Sequence, residues 1–202
     1  MKSILLAFAT ILIGMSSALA EDQSPNEVIE SAVSILTERM DGQMEALSAD
    51  RQAMYALIDE VLLPRFDRKF AAQIVLAKNW RSATEEQRVR FIEAFYQALL
   101  RKYADGLLEF DQDKVTVLPF RGDASSKRAK VRTTIKLDDG SSASVDYELV
   151  KRESGWLLFN VIIEGISYVR NFRAELDSEI RSSSLDAVID RLEGEAGISS
   201  DG

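Results

Sequence analysis

The chain has 202 residues, 46% hydrophobic, 29% charged and 8% aromatic, which suits one folded domain with a core and excludes low-complexity or disordered composition. Cys and His are both absent, so disulfides, thiolate or imidazole zinc sites and every Ser-His or Cys-His nucleophile pair are excluded, leaving Asp, Glu, Lys and Tyr for proton transfer. A net charge of −8 speaks against nucleic acid as a partner and against standing attraction to anionic headgroups.

The first segment is a targeting signal. Lys2 precedes an apolar run over residues 4–15, and Ala18-Leu19-Ala20 has the small-x-small form of a cleavage site ahead of Glu21-Asp22. A membrane anchor would need about 20 apolar residues, more than this run supplies. Cleavage after Ala20 removes one cation, Lys2, and takes the net charge to −9. Export without cysteine fits a bacterial periplasm better than a eukaryotic extracellular space. The expected division is a signal peptide at 1–20, a single domain at 21–193 and a flexible tail at 194–202.

Helical signals come next. Ser24-Pro25-Asn26-Glu27 combines an N-cap, Pro at the first helical position and Glu three after the cap, followed by Val28, Ile29, Ala32, Val33, Ile35 and Leu36 at helical spacing. Asp50 caps a second helix through Met54, Leu57, Ile58, Val61 and Leu62, which Pro64 stops. A shorter helix follows Asp67. Thr84-Glu85-Glu86-Gln87 opens a long one whose wide stripe holds Phe91, Ile92, Phe95, Tyr96, Leu99, Leu100, Tyr103 and Leu107.

The period then changes to two. Residues 114–120 read as a strand; Ala129, Val131, Thr133, Ile135 and Leu137 alternate with polar neighbours, as do Ala143, Val145, Tyr147 and Leu149. Paired residues share a face, so apolar odd positions on both strands require paired numbers with an even sum. A three-residue Asp138-Asp139-Gly140 loop meets that condition and pairs Ile135 with Ala143, Thr133 with Val145 and Val131 with Tyr147. By the same reasoning, Glu153-Ser154-Gly155 leads into a strand with Leu157, Phe159, Val161 and Ile163 on the Tyr147 face, and Trp156, Leu158 and Ile162 opposite. Apolar on both sides, that strand needs cover on its second face. Ser167 caps a helix through Val169, Phe172, Leu176 and Ile180, and residues 185–192 form a last short one.

The expected fold is α+β: a curved four-stranded antiparallel meander with N-terminal and C-terminal helices packed on one face, around an apolar cavity. Periodicity proposes a lining of Val131, Thr133, Val145, Tyr147, Phe159, Val161 and Ile163, opposed by Phe91, Phe95, Leu99 and Tyr103; a filled core has the same pattern. Glu164, beside Gly165, is the one acid placed for catalysis. The basic run Lys127, Arg128, Lys130 and Arg132 reads as a solvated face or edge protection.

Four segments together resemble the MlaC, or toluene-tolerance, family. They are Leu62-Leu63-Pro64 with Phe66-Asp67; Trp80-Arg81-Ser82-Ala83-Thr84-Glu85-Glu86-Gln87-Arg88 leading to Phe91, Phe95, Leu100 and Tyr103; Val145-Asp146-Tyr147; and Trp156 through Asn160-Val161-Ile162-Ile163-Glu164-Gly165-Ile166-Ser167 to Asn171-Phe172-Arg173. Asn160 stands where many members carry Asp, and Ser183-Ser184 where a Gly is common.

The resemblance implies a periplasmic carrier of phospholipid, without catalysis or cofactor, moving lipid between an outer-membrane lipoprotein complex and an inner-membrane ABC transporter complex and so maintaining outer-membrane asymmetry. It implies Tyr103, Val131, Thr133, Val145, Tyr147, Val161 and Ile163 near the tails, Val169 and Phe172 at the entrance, and Arg173 at the headgroup. Exposing two sixteen-carbon tails to water costs roughly 25 kcal/mol at about 0.8 kcal/mol per methylene, which an apolar interior avoids. The alternatives are a carrier of another large lipid such as a hopanoid, an isomerase-like enzyme using Glu164 and Tyr147, and an adaptor with a solid core.

Overall fold

A computed structural model describes residues 23–108, 114–123, 125–137 and 139–198, without the side chains of 105–108. The expected signal peptide, residues 1–20, lies outside these residues. Helix α1 (Pro25–Met40) begins with the expected capping box, Ser24 Oγ accepting from the Glu27 amide at 3.3 Å and Glu27 Oε2 from the Ser24 amide at 2.6 Å. A short α2 (Met44–Ala49), not foreseen, precedes α3 (Arg51–Leu62), which Asp50 caps and Pro64 ends in a 3-10 turn. Asp67 caps α4 (Arg68–Leu76), and a five-residue α5 (Lys78–Ser82) follows, also unforeseen. Thr84 and Gln87 form the box that opens α6 (Glu85–Leu108).

Between α4 and α5 the chain turns at Ala77, with φ 48° and ψ −110°, a backbone region that a Cβ disfavours. Ala77→Gly is expected to stabilise the fold by about 1 kcal/mol, the relieved strain exceeding the entropy that glycine adds to the unfolded chain. A higher denaturation midpoint is the check.

The sheet is a five-stranded antiparallel meander in the order β1 (Val115–Val117), β2 (Arg128–Lys136), β3 (Ser142–Arg152), β4 (Gly155–Ile163) and β5 (Ile166–Ser167). The β2–β3 register is the expected one: Ile135 with Ala143, Thr133 with Val145 and Val131 with Tyr147. Gly140 supplies the positive φ that its loop demands, +84°. The fifth strand arises because Glu164 and Gly165 both take positive φ, 47° and 80°, and fold the chain back so that Ile163 faces Ile166.

The β3–β4 hairpin departs from expectation. Arg152 pairs with Gly155, so the turn has two residues, Glu153 and Ser154; a bulge beside Glu148 and Leu149 then restores the even register of Tyr147 with Val161 and Val145 with Ile163. Two offsets cancel. Val161 and Ile163 therefore lie on the Tyr147 face as expected, and so do Trp156 and Leu158, whereas Leu157 pairs with Val150 on the other face and Phe159 packs there too.

Helices cover both faces, not one. On the Tyr147 face, Val28 and Ile29 of α1 pack against Ala129, Val131, Leu149 and Trp156; on the other, Phe66, Phe70, Ala71 and Ile74 pack against Val150 and Phe159. The doubly apolar β4 required that second cover. After β5, Ser167 caps α7 (Tyr168–Ser182) and Ser184 caps α8 (Leu185–Ala196), each through its Oγ. Helix α8 continues through Gly194 to a fully buried Ala196, capped by left-handed Gly197, so order extends past the expected start of the tail at 194.

Candidate functional site

Among the described residues the apolar side chains form five clusters, and two of these bodies hold most of the expected lining. The first is the Tyr147 face of the sheet. Its α1 end is sealed, but cover thins along the strands: Val131, Thr133 and Val145 are buried, Tyr147, Ile135, Ala143, Val161 and Ile163 are half-buried, and Leu137 and Ile166 are exposed. Thr133 Oγ1 donates to the Val145 carbonyl at 2.9 Å, so the hydroxyl inside this face is satisfied. Burial pushes the Tyr147 phenol above its ordinary range, and a hydrogen bond with Thr133 partly offsets this.

The second body is helical. Phe91, Phe95 and Ala98 of α6 pack with Ala72 and Leu76 of α4, Val169, Phe172 and Leu176 of α7, and Val188, Ile189 and Leu192 of α8. Phe91 stacks on Phe95 and Phe95 meets Phe172 edge-on, both with centroids 5.4 Å apart. Beside them lies a cavity of about 80 Å³, floored by Phe95, Leu99, Phe172 and Leu192 and rimmed by Lys102, Glu175, Arg191 and Glu195. It is smaller than the roughly 150 Å³ apolar hole that holds a benzene, and a fatty-acyl chain does not fit.

This arrangement corrects the expected lining. Phe91, Phe95, Leu99, Val169 and Phe172 are brought together, and Val131, Thr133, Val145, Tyr147, Val161 and Ile163 share one face, but the first set forms its own core instead of opposing the second. Phe159 belongs to neither, because the bulge turns it onto Phe70, centroid to centroid 4.9 Å. Tyr103 stands at the margin, 39% exposed, its ring edge-on to Tyr168 at 5.2 Å. Arg173 is exposed and makes no ion pair among the described residues.

Sequence reasoning missed a polar node that joins the two bodies. On β4, the buried Asn160 donates through Nδ2 to Glu148 Oε2 at 2.8 Å, and its Oδ1 accepts from the Val169 amide at 3.1 Å; Ser167 Oγ lies 3.0 Å from Nδ2. One side chain thereby ties the sheet to the first turn of α7. Tyr168 also went unmarked, although Phe172 and Leu176, four and eight residues on, put it on the apolar face of its helix.

Chemistry is sparse. Glu164, the candidate catalytic acid, is an exposed turn residue whose Oε1 accepts from the Ser144 amide. Tyr96 is pushed up by burial and by its bond to Asp59, and that pair is part of the packing of α6 on α3. Among the described residues no cluster of carboxylates is arranged to hold a metal, and no helix is long and apolar enough to cross a membrane.

The chain matches the family described as MlaC protein over residues 30–194. It belongs to the MlaC family. Toluene tolerance protein ttg2D of Pseudomonas putida is 30% identical over 176 residues, 86% of this chain and 81% of that protein. The intermembrane phospholipid transport system binding protein MlaC of Haemophilus influenzae is 20% identical over 197 residues, 96% and 92% of the two chains. The same fold occurs in a phospholipid-binding protein from Ralstonia solanacearum, solved in complex with a phospholipid, with a TM-score of 0.77 and 23% identity over 87% of this chain and 98% of that one.

Proposed function

We propose that this MlaC-family chain is a periplasmic phospholipid carrier that shuttles lipid between outer-membrane and inner-membrane complexes. The observation that carries the reading is the thinning cover of the Tyr147 face: an apolar sheet surface runs without a break from buried Val131 to exposed Ile166. The names of the relatives, one a phospholipid transport binding protein, and the lipid-bound fold neighbour support it.

The Tyr147-face cluster and the helical cluster share no residue, so tails can lie between them while Phe70, Ala71 and Ile74 of α4 keep the opposite face of the sheet joined to the helices. Tails enter at the half-buried end, past Tyr103 and Tyr168, and lie against Tyr147, Val161 and Ile163. Arg173 is available to the phosphate as a two-pronged donor. Moving tails from bilayer to protein exchanges one apolar surrounding for another, so loading is reversible and its direction is left to the partner complexes. No cofactor enters.

Native mass spectrometry of gently purified protein tests this. About one phospholipid per chain is expected; a chain that arrives empty overturns the reading, and a bound mass of another lipid class, such as a hopanoid, redirects it. The enzyme alternative is separated by Glu164→Gln, which is expected to leave lipid transfer between vesicles unchanged within about twofold, as for other exposed substitutions.

A further inference from the structure

Lys102 of α6 lies over two aromatic rings, its Nζ 5.3 Å from the centroid of Phe172 and 5.7 Å from that of Tyr103. Across from it, Tyr168, Phe172 and Glu175 follow one another four and three residues apart and so share one side of α7. Lys102 and Glu175 both rim the small cavity floored by Phe95 and Leu99. Burial first, then the Tyr168 phenol and the Glu175 carboxylate, push the Tyr103 phenol above its ordinary range, so Glu175 acts on the same ring that Lys102 covers. That ring meets Tyr168 edge-on, and the two tyrosines flank the entrance assigned to the tails.

Lys102 and Glu175 are exposed, and neither makes an ion pair or a polar hydrogen bond among the described residues. The other two charges of the rim are occupied: Arg191 binds Glu195 at 2.6 Å and Glu179 at 2.7 Å. Arg39, Arg68 and Arg90 likewise hold carboxylates. A cation and an anion that flank one ring and stay apart leave a gap with a positive and a negative side. A lone anion in that gap meets Glu175, and a lone cation meets Lys102; a group carrying both charges on a short link satisfies each. A phospholipid head with a phosphate and a primary ammonium has that form. Exposed charge pairs are individually weak, so the effect falls on the choice among lipids more than on whether lipid binds.

We propose that Lys102 and Glu175 select zwitterionic phospholipids, Lys102 taking the phosphate and Glu175 the ammonium, while the tails pass Tyr103 and Tyr168 to the Tyr147 face. The inference rests on the carrier reading and adds to it a preference among headgroups.

The test offers the protein vesicles of equal parts phosphatidylethanolamine and phosphatidylglycerol with the same acyl chains, and native mass spectrometry reads the lipid bound. The parent chain is expected to take phosphatidylethanolamine in about threefold to fivefold excess, the effect of one exposed ion pair. E175Q is expected to level the ratio and E175K to invert it, because a second cation then repels the ammonium and attracts the anionic lipid. K102Q is expected to lower the occupancy of both lipids by about threefold, since each carries the phosphate. Both side chains are exposed; thermal melts check that each variant folds, and E175Q carries the test should E175K not. Lipids bound in the vesicle ratio by the parent chain, an unchanged ratio in the Glu175 variants, or full occupancy in K102Q overturns the inference and leaves the carrier reading standing. A parent chain that binds neither lipid overturns both.

Discussion

Val161→Trp is expected to empty the protein of lipid while leaving it folded. Val161 faces Tyr147 across the β3–β4 ladder and is half-buried, at the place where cover over the sheet thins. An indole there would take up the space that the carrier reading assigns to the tails. Displacing about four methylenes from that surface forfeits ~3 kcal/mol at about 0.8 kcal/mol each, more than a hundredfold in affinity. The folding cost should stay below about 1 kcal/mol, because the position is not fully enclosed. Native mass spectrometry and a thermal melt read the two effects separately. Loss of stability in step with loss of lipid would make Val161 an ordinary core residue and end the carrier reading of this face.

The contrast with Val145 shows how much of the site was legible. Both valines alternate correctly in the sequence, and both lie on the Tyr147 face. Only the structure separates them: Val145 is 5% exposed and closed in, so a tryptophan there would overpack the core, whereas Val161 is half-buried. Periodicity reports a face and says nothing about how far the covering helix reaches. The α1 residues Val28 and Ile29 seal one end of the sheet, and no pattern within β2, β3 or β4 encodes where α1 stops.

Register was readable where alternation was strict. Polar and apolar residues alternate on both sides of Gly140, so parity alone selected the three-residue loop. In β4 the run Trp156-Leu157-Leu158-Phe159 is apolar throughout, and a run without alternation carries no parity. The two-residue turn and the bulge then compensate each other, so the wrong loop still put Val161 and Ile163 on the right face and misplaced only the residues between the offsets. The aromatic stripe of α6 failed for a different reason: Phe91 and Phe95 have the spacing of a helix packed on something apolar, and three other helices, not the sheet, supply it.

Asn160→Asp is the second substitution with a large expected effect. The family resemblance makes aspartate look harmless at this position, but here the side chain must donate. Asn160 Nδ2 gives its hydrogen bond to Glu148 Oε2 at 2.8 Å, inside a node 3% exposed, while Oδ1 accepts from the first turn of α7. An aspartate keeps the acceptor and replaces the donor with a second carboxylate oxygen facing Glu148. At neutral pH, a lost charge-assisted hydrogen bond and a buried like-charge contact together are expected to cost about 2–4 kcal/mol. The deficit eases on acidification: protonating the introduced carboxyl restores a donor, so the gap to the parent protein should shrink as pH falls. Glu148→Gln added to Asn160→Asp removes the repulsion and supplies an amide donor, and should recover most of the stability at neutral pH. Denaturation midpoints of the parent, the single variant and the double variant at two pH values decide the matter. A single variant as stable as the parent at neutral pH would mean that the node does not hold β4 to α7, and the packing of Phe70, Ala71 and Ile74 on Val150 and Phe159 would be what joins the sheet to the helices.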